Sequence, residues 1–247
     1  MIRLIRLIRL IRNEFRKFRG SCINTVAFAA MLFPVLFTAP VYYFGNSFQM
    51  EWGAYINSLH LFYGIFLGAF VPSFLAIFTV HTELRNGTVK NMVASPHGRQ
   101  QMIAAKTLYV ALFVVMLYIG AGVLVLLSGV IIGLPTTAAD VWRVFQRVSV
   151  TGMTTVVLVP MMMFFTLVFR NIAAPIVITF LGTVVGIPMI NLGKSYWYPW
   201  MIPTNFFFRF SSSQSVNFTG PLVLLLVLTL GFSLLSVLRF RRMDFDT

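Results

Sequence analysis

The chain has 247 residues, 58% of them apolar and only 10% Asp, Glu, Lys or Arg, with a mean hydropathy of +0.86. Soluble domains carry about a quarter charged residues, so this composition excludes both a water-soluble enzyme and a disordered chain. The net charge of +13 raises nucleic acid as a partner, and the positions of the basic residues then decide against it.

Residues 1–19 repeat Ile-Arg-Leu, and a helix gathers Leu4, Leu7, Ile8, Ile11, Phe15 and Phe18 into one stripe. Most of the Arg and Lys side chains take the other side. A basic amphipathic helix of this kind lies in the headgroup plane with its Arg stems snorkelling toward anionic lipid. It serves either as a topology anchor or as a connecting helix that transmits motion from a cytoplasmic partner.

After it come six charge-free stretches, 20–50, 52–82, 107–139, 148–169, 171–193 and 210–238. Each exceeds the ~18 apolar residues that read as a membrane helix. The stretch 195–208 is too short and too rich in Pro and Trp to cross. The expected fold is therefore an all-α integral membrane protein, with an interfacial helix at 1–19 and a six-helix transmembrane domain at 20–247. The first stretch is longer than the apolar run of a signal peptide, about 7–15 residues, so the N-terminal segment is expected to stay attached.

With the N-terminus inside, 15 basic residues fall on the inner side and four (Arg143, Arg147, Lys194, Arg209) outside. That bias places both termini in the cytoplasm. The basic excess is topology and lipid attraction, and no nucleic acid partner is expected. Pro34, Pro40, Pro72, Pro160, Pro175 and Pro188 sit inside spans, where neighbouring helices re-satisfy the freed carbonyls. Gly64–Gly68, Gly129–Gly133 and Gly182–Gly186 have the spacing that lets helices approach closely. Arg170-Asn171 makes spans four and five an antiparallel hairpin. Cys22 is the single cysteine, so neither an intrachain disulfide nor a cysteine metal site is possible.

No catalytic constellation emerges. His60, His81 and His97 are scattered, and the spans as drawn contain no Asp or Glu, which argues against a proton- or sodium-coupled carrier. Gly193-Lys194-Ser195 mimics the end of a phosphate-binding loop, yet Pro188 stands where that pattern needs a glycine. The chain is expected to have no ATPase site, no cofactor and no metal of its own.

Function is therefore sought in two connections. The cytoplasmic loop 81–106 carries Glu83, Gly87, Thr88, Lys90, Pro96, Arg99 and Lys106, a charged, partly helical segment suited to a groove on a soluble partner. An ordinary solvated loop accounts for the same residues. As a loop charge, Glu83 is expected to tolerate replacement by Lys without loss of fold. The external segment 193–217 carries Trp197, Pro199, Trp200, Pro203, Phe206, Phe207 and Phe208. It is expected to dip into the outer interface, as a gate or simply as a headgroup anchor.

At these residues the chain resembles the membrane subunit of type-2 (exporter-class) ABC transporters, in the lantibiotic-immunity and bacitracin-resistance permease group. Glu14-x2-Lys17 before Pro34, Val71-Pro72, the E-x3-G-T-x-K-x5-P-x2-R-x6-K loop, and Tyr198-Pro199-Trp200 with Pro203 carry the likeness. The resemblance implies a permease in a bacterial inner membrane, exporting membrane-active antimicrobial or toxin peptides and conferring self-immunity. It implies two cytoplasmic ATP-binding subunits that hold ATP and Mg, and a second permease, identical or a sister. It also implies a coupling helix at Glu83 and the loop after it, a connecting helix at 1–19, and an external gate between the last two spans. Two other classes stay open: a non-transporting scaffold or assembly factor docking a soluble partner, and a membrane enzyme acting on lipid.

Overall fold

The computed structural model describes residues 2–45, 51–86, 99–191, 195–209 and 219–241. Among them every regular element is helical: α1 (Ile2–Phe18), α2 (Cys22–Phe44), α3 (Trp52–His60), a π-helical turn (Leu61–Phe66), α4 (Leu67–Arg85) and α5 (Arg99–Ile132). There follow α6 (Ala138–Thr155), α7 (Leu158–Phe169), α8 (Ala173–Asn191), a 3-10 turn (Ser195–Trp197), α9 (Ile202–Arg209) and α10 (Thr219–Arg241). Six runs are long and apolar enough to cross a membrane: Cys22–Phe44, Phe62–Arg85, Gln100–Ile132, Ala138–Phe169, Ala173–Ile190 and Thr219–Phe240.

The burial pattern suits lipid. Leu36 on α2, Leu181 on α8 and Leu230 on α10 are more than half exposed, while small and polar residues such as Ser73, Thr155 and Thr166 are buried. In water such apolar faces would associate; in a bilayer the acyl chains cover them. The central element is α4, which packs against α2, α5, α6, α7 and α8.

Two spans differ from the sequence expectation. The stretch 52–82 is not one helix: α3 precedes the π turn, where the wider register alters the carbonyl ladder. Tyr118 Oη donates to Tyr63 O at 3.2 Å inside that turn, and Tyr63 Oη donates to Met31 O at 2.8 Å. The fourth span starts at Ala138 rather than 148, opened by a capping box in which Thr137 and Asp140 bond reciprocally. It breaks between α6 and α7 just ahead of Pro160, which has no N–H for the carbonyl four residues back. Pro34, Pro40, Pro72 and Pro188 lie within helices. Asn171 Oδ1 accepts from Ala174 N at 3.0 Å, capping α8 ahead of Pro175.

Two of the small-residue spacings do a different job from the one expected. A Cβ on Gly129 would lie 2.1 Å from the Trp52 ring, and one on Gly182 would lie 2.4 Å from the Trp200 ring. Gly186 receives Met201 in the same way. These glycines are notches for large side chains rather than helix-on-helix contacts. Trp52 is further pinned by its indole N–H, which donates to Pro135 O at 3.1 Å.

Gly152 is the least forgiving notch, because the atom it faces is Tyr118 Cβ at 2.5 Å from a built Cβ, next to backbone that cannot swing away. Gly152→Ala should therefore cost about 1–3 kcal/mol by overpacking. Gly122→Ala, whose Cβ would meet Val148 at an ordinary 3.7 Å, should be neutral or stabilising. Thermal unfolding of the two variants in detergent checks the difference, and equal midpoints would remove the notch argument.

Candidate functional site

The amphipathic character of α1 is used against protein as well as lipid. Phe18 is buried, and Phe15 and Phe18 clasp Tyr109 of α5, with ring centroids 4.8 and 5.4 Å away. Ile8, expected in the apolar stripe, is 57% exposed, while Leu10 on the other flank is half-buried. The docked face is thus rotated from the expected one. Gly20, at φ +78°, turns the chain from α1 into α2.

This docking carries Glu14 and Lys17 inward to the end of α4 and the start of α5. Lys17 Nζ donates to Glu83 Oε1 at 2.6 Å, Lys106 Nζ donates to the same oxygen at 2.5 Å, and Lys106 Nζ donates to Glu14 Oε1 at 2.9 Å. Glu83 and Lys106 are 4% and 5% exposed. Two carboxylates and two ammoniums alternate, so the charges balance, with Glu83 and Lys106 shut away from water and Lys17 reaching in from an exposed position. The small cavity beside Glu83 and Lys106 is also lined by Leu167 of α7 and Phe240 of α10. Five elements therefore meet at this end of the bundle, and the segments at the two ends of the chain share it.

Glu83 is accordingly not a solvated loop charge. It belongs to α4, which runs to Arg85, and Lys106 belongs to α5, which begins at Arg99. The expectation that Glu83→Lys leaves the fold intact is corrected: it would set a third ammonium against Lys17 and Lys106 in a buried site. The expectation that spans lack acids is corrected with it, since Glu83 and Asp140 lie within the second and fourth. Gly87, Thr88, Lys90 and Pro96 lie outside the described residues. Of the seven coupling residues, the described structure thus joins Glu83 to Lys106. Glu14 and Lys17 complete the network, and the i, i+3 pairing on α1 was its visible signal.

At the opposite end, the segment from Ser195 to Arg209 folds back against the bundle. Met201, Ile202 and Thr204 are fully buried, and Ser195 Oγ bonds to Asn205 Oδ1 at 3.1 Å. A Cβ on Gly64, in the π turn, would touch Thr204 Cα at 3.3 Å. Of the gate residues, Trp200 is seated at Gly182, and Trp197, though 62% exposed, rests its ring edge on Gly220, where a Cβ would lie 2.6 Å away. Pro199 lies between them and Pro203 is buried in α9, which also carries the backbone of Phe206, Phe207 and Phe208. Burial pushes the Tyr198 phenol up from its ordinary range. Arg147, expected outside the membrane, is instead buried in α6, with a guanidinium N–H directed at Asn57 Oδ1, 3.5 Å away. Among the described residues no group of His, Cys, Asp and Glu could hold a metal ion.

Six apolar helices with a charge-locked amphipathic helix docked against them define a multi-pass integral membrane protein. The family model described as ABC-2 family transporter protein matches residues 10–186, and the chain belongs to that family. It is therefore a permease component of an ABC transporter, and membership implies an ATP-binding partner and fits the bacterial inner membrane. The match covers α1 from Leu10, the ion network, four spans and most of the fifth, and ends before the 193–217 segment. No curated protein matches the chain.

Removing one partner of a buried ion pair costs about 3–5 kcal/mol, because it strands the other charge. Glu83→Ala should lose stability on that scale in thermal unfolding of the purified protein. A Glu14→Gln/Lys17→Gln/Glu83→Met/Lys106→Met variant should recover most of the loss, as it removes all four charges of the network together and strands none of them. A neutral quadruple variant as unstable as Glu83→Ala would refute charge pairing as the source of the effect.

Proposed function

We propose that this chain is the permease of an ATP-driven exporter for membrane-active peptides, of the lantibiotic-immunity and bacitracin-resistance kind. Two such permeases, identical or sister subunits, pair in the bilayer, and two cytoplasmic subunits bind ATP and Mg. The observation that carries the reading is the Lys17–Glu83–Lys106–Glu14 network. It ties α1 to both helices that flank residues 87–98, so a push on that connection by an ATPase reaches α1, α4 and α5 together. Residues 81–106 then act as the coupling element and residues 1–19 as the connecting helix.

Both termini face the cytoplasm in this proposal, and 193–217 is the external gate. Supporting the gate is the way 195–205 plugs one end of the bundle against Gly182, Gly186 and the π turn. A peptide that partitions into lipid needs little beyond apolar complementarity for capture. The described spans fit that cargo, since their acids, Glu83 and Asp140, lie at span ends.

The orientation is tested by single cysteines at Ser47, Ser213 and Asn91 in a Cys22→Ser background, because Cys22 is itself exposed. An impermeant thiol reagent outside intact cells should label the first two and spare the third; the reverse pattern inverts the topology. For the cargo, cells carrying the permease with its ATPase should tolerate an amphipathic membrane-active peptide better than cells lacking it. Trp197→Ala, at a ring that is mostly exposed and touches only Gly220 by its edge, should reduce that tolerance several-fold with the amount of membrane protein lowered far less than the tolerance. Trp200→Ala should lower both, because the ring also fills the Gly182 notch. If no amphipathic peptide is tolerated better, the substrate class is wrong, and an ATPase indifferent to such peptides would favour a scaffold.

A further inference from the structure

The cleft where α1 turns into α2 carries chemistry that the ion network does not use. Arg12 and Arg16 stand one turn apart on α1 and share one side of it, and Arg19 follows in the turn just past its last residue, lining the same cleft. All three are exposed, and no salt bridge to a carboxylate engages them among the described residues. They line a cleft of about 450 Å³ whose far wall is Phe28 of α2 with Phe113 and Met116 of α5. The two Phe rings meet edge to face at 5.7 Å, giving that wall a fixed shape. Between the charges and the rings lies the start of α2. Its N-cap residue Ser21 makes no side-chain capping bond, and Ser21 Oγ is buried without a partner.

This order of groups selects the ligand. Guanidinium forks and a helix N-terminus both favour a phosphate oxygen. Along α2 the cleft then descends about 10 Å from Ser21 to Phe28, at 1.5 Å per residue, which passes from headgroup depth into hydrocarbon. A free anion would leave the aromatic wall uncovered, and a zwitterionic lipid would leave the three positive charges largely uncompensated.

We propose that this cleft binds one anionic phospholipid. Its phosphate is held by Arg12, Arg16 and Arg19 beside the start of α2, and one acyl chain lies along Phe28, Phe113 and Met116. The site is saturable and local, unlike the diffuse attraction of a basic helix to a charged surface.

The test titrates the detergent-purified full chain with phosphatidylglycerol, phosphatidylcholine or inorganic phosphate, reading the thermal midpoint and the lipid retained in native mass spectra. Phosphatidylglycerol should raise the midpoint saturably, with one tightly retained lipid per chain, and the other two ligands should not. Arg12→Gln/Arg16→Gln/Arg19→Gln should weaken retention at least tenfold. Arg3→Gln/Arg6→Gln/Arg9→Gln, with the same loss of charge on the same helix, should retain the lipid within about twofold. Equal losses in the two triple variants, or an equal shift with phosphatidylcholine, would overturn the site in favour of general lipid attraction. An equal shift with inorganic phosphate would make it a soluble-anion site. If the first triple variant does not fold, Arg16→Gln decides the question, with an expected loss of threefold or more against none for Arg9→Gln.

Discussion

A carboxylate taken out of water must be matched, and at the end of this bundle where α1 docks one carboxylate is matched twice. Glu83 lies in the most central helix, and the ammoniums that neutralise it come from different elements, Lys17 of α1 and Lys106 of α5. Neither Lys106 nor Glu83 could be buried alone, since each would pay a desolvation penalty of several kcal/mol, while Lys17, 39% exposed, reaches Glu83 from the rim. The position of α1 follows. Propensity and amphipathicity alone would leave a basic helix lying on the membrane surface. The charges at Glu14 and Lys17, with the Phe15 and Phe18 rings on Tyr109, hold it against the spans instead.

Elsewhere the bundle meets the same demand with neutral groups. Hydroxyls within the spans donate to carbonyls one turn back, as Thr79 does to Leu75, Thr151 to Arg147, Thr166 to Met162 and Thr183 to Thr179. In lipid this local bonding satisfies a polar group without an interhelical partner. Shape is then set by the pairing of bulk with absence of bulk: Trp52 on Gly129, Tyr118 on Gly152, Trp200 on Gly182. Such contacts compensate for the missing hydrophobic drive between helices, because close packing is what distinguishes a neighbour from lipid.

Much of this architecture was legible in residue order. Six long gaps between charges and a period of three in the first residues are one-dimensional signals, and the spans and α1 follow from them. Three features were not. The burial of Glu83 and Arg147 was hidden because the reading used charges as span boundaries, and a paired or hydrogen-bonded charge inside a span breaks that rule. The partners of Glu83 lie 66 residues before it and 23 after it, a separation no local window contains. The glycine notches were missed because spacing names the small residue but not the side chain that enters it. The match of residues 10–186 supports the family, whereas the Trp-rich segment lies beyond that match and rests on its own packing.

The turn at Gly20 bears on how the protein is made. In chain order α1 precedes every span, and its cationic face has only lipid and water to meet while α2 threads into the bilayer. Glu83 arrives at the end of the second span, and Lys106, whose other carboxylate is Glu14, 92 residues earlier, arrives only with the third. Until then each of these charges is a temporary burden on the half-inserted chain. Its final position thus depends on events later in translation, and a left-handed glycine beside a surface helix leaves α1 free to wait. Assembly order is in this way written into the placement of charges, with the opening segment of the chain among the last to settle.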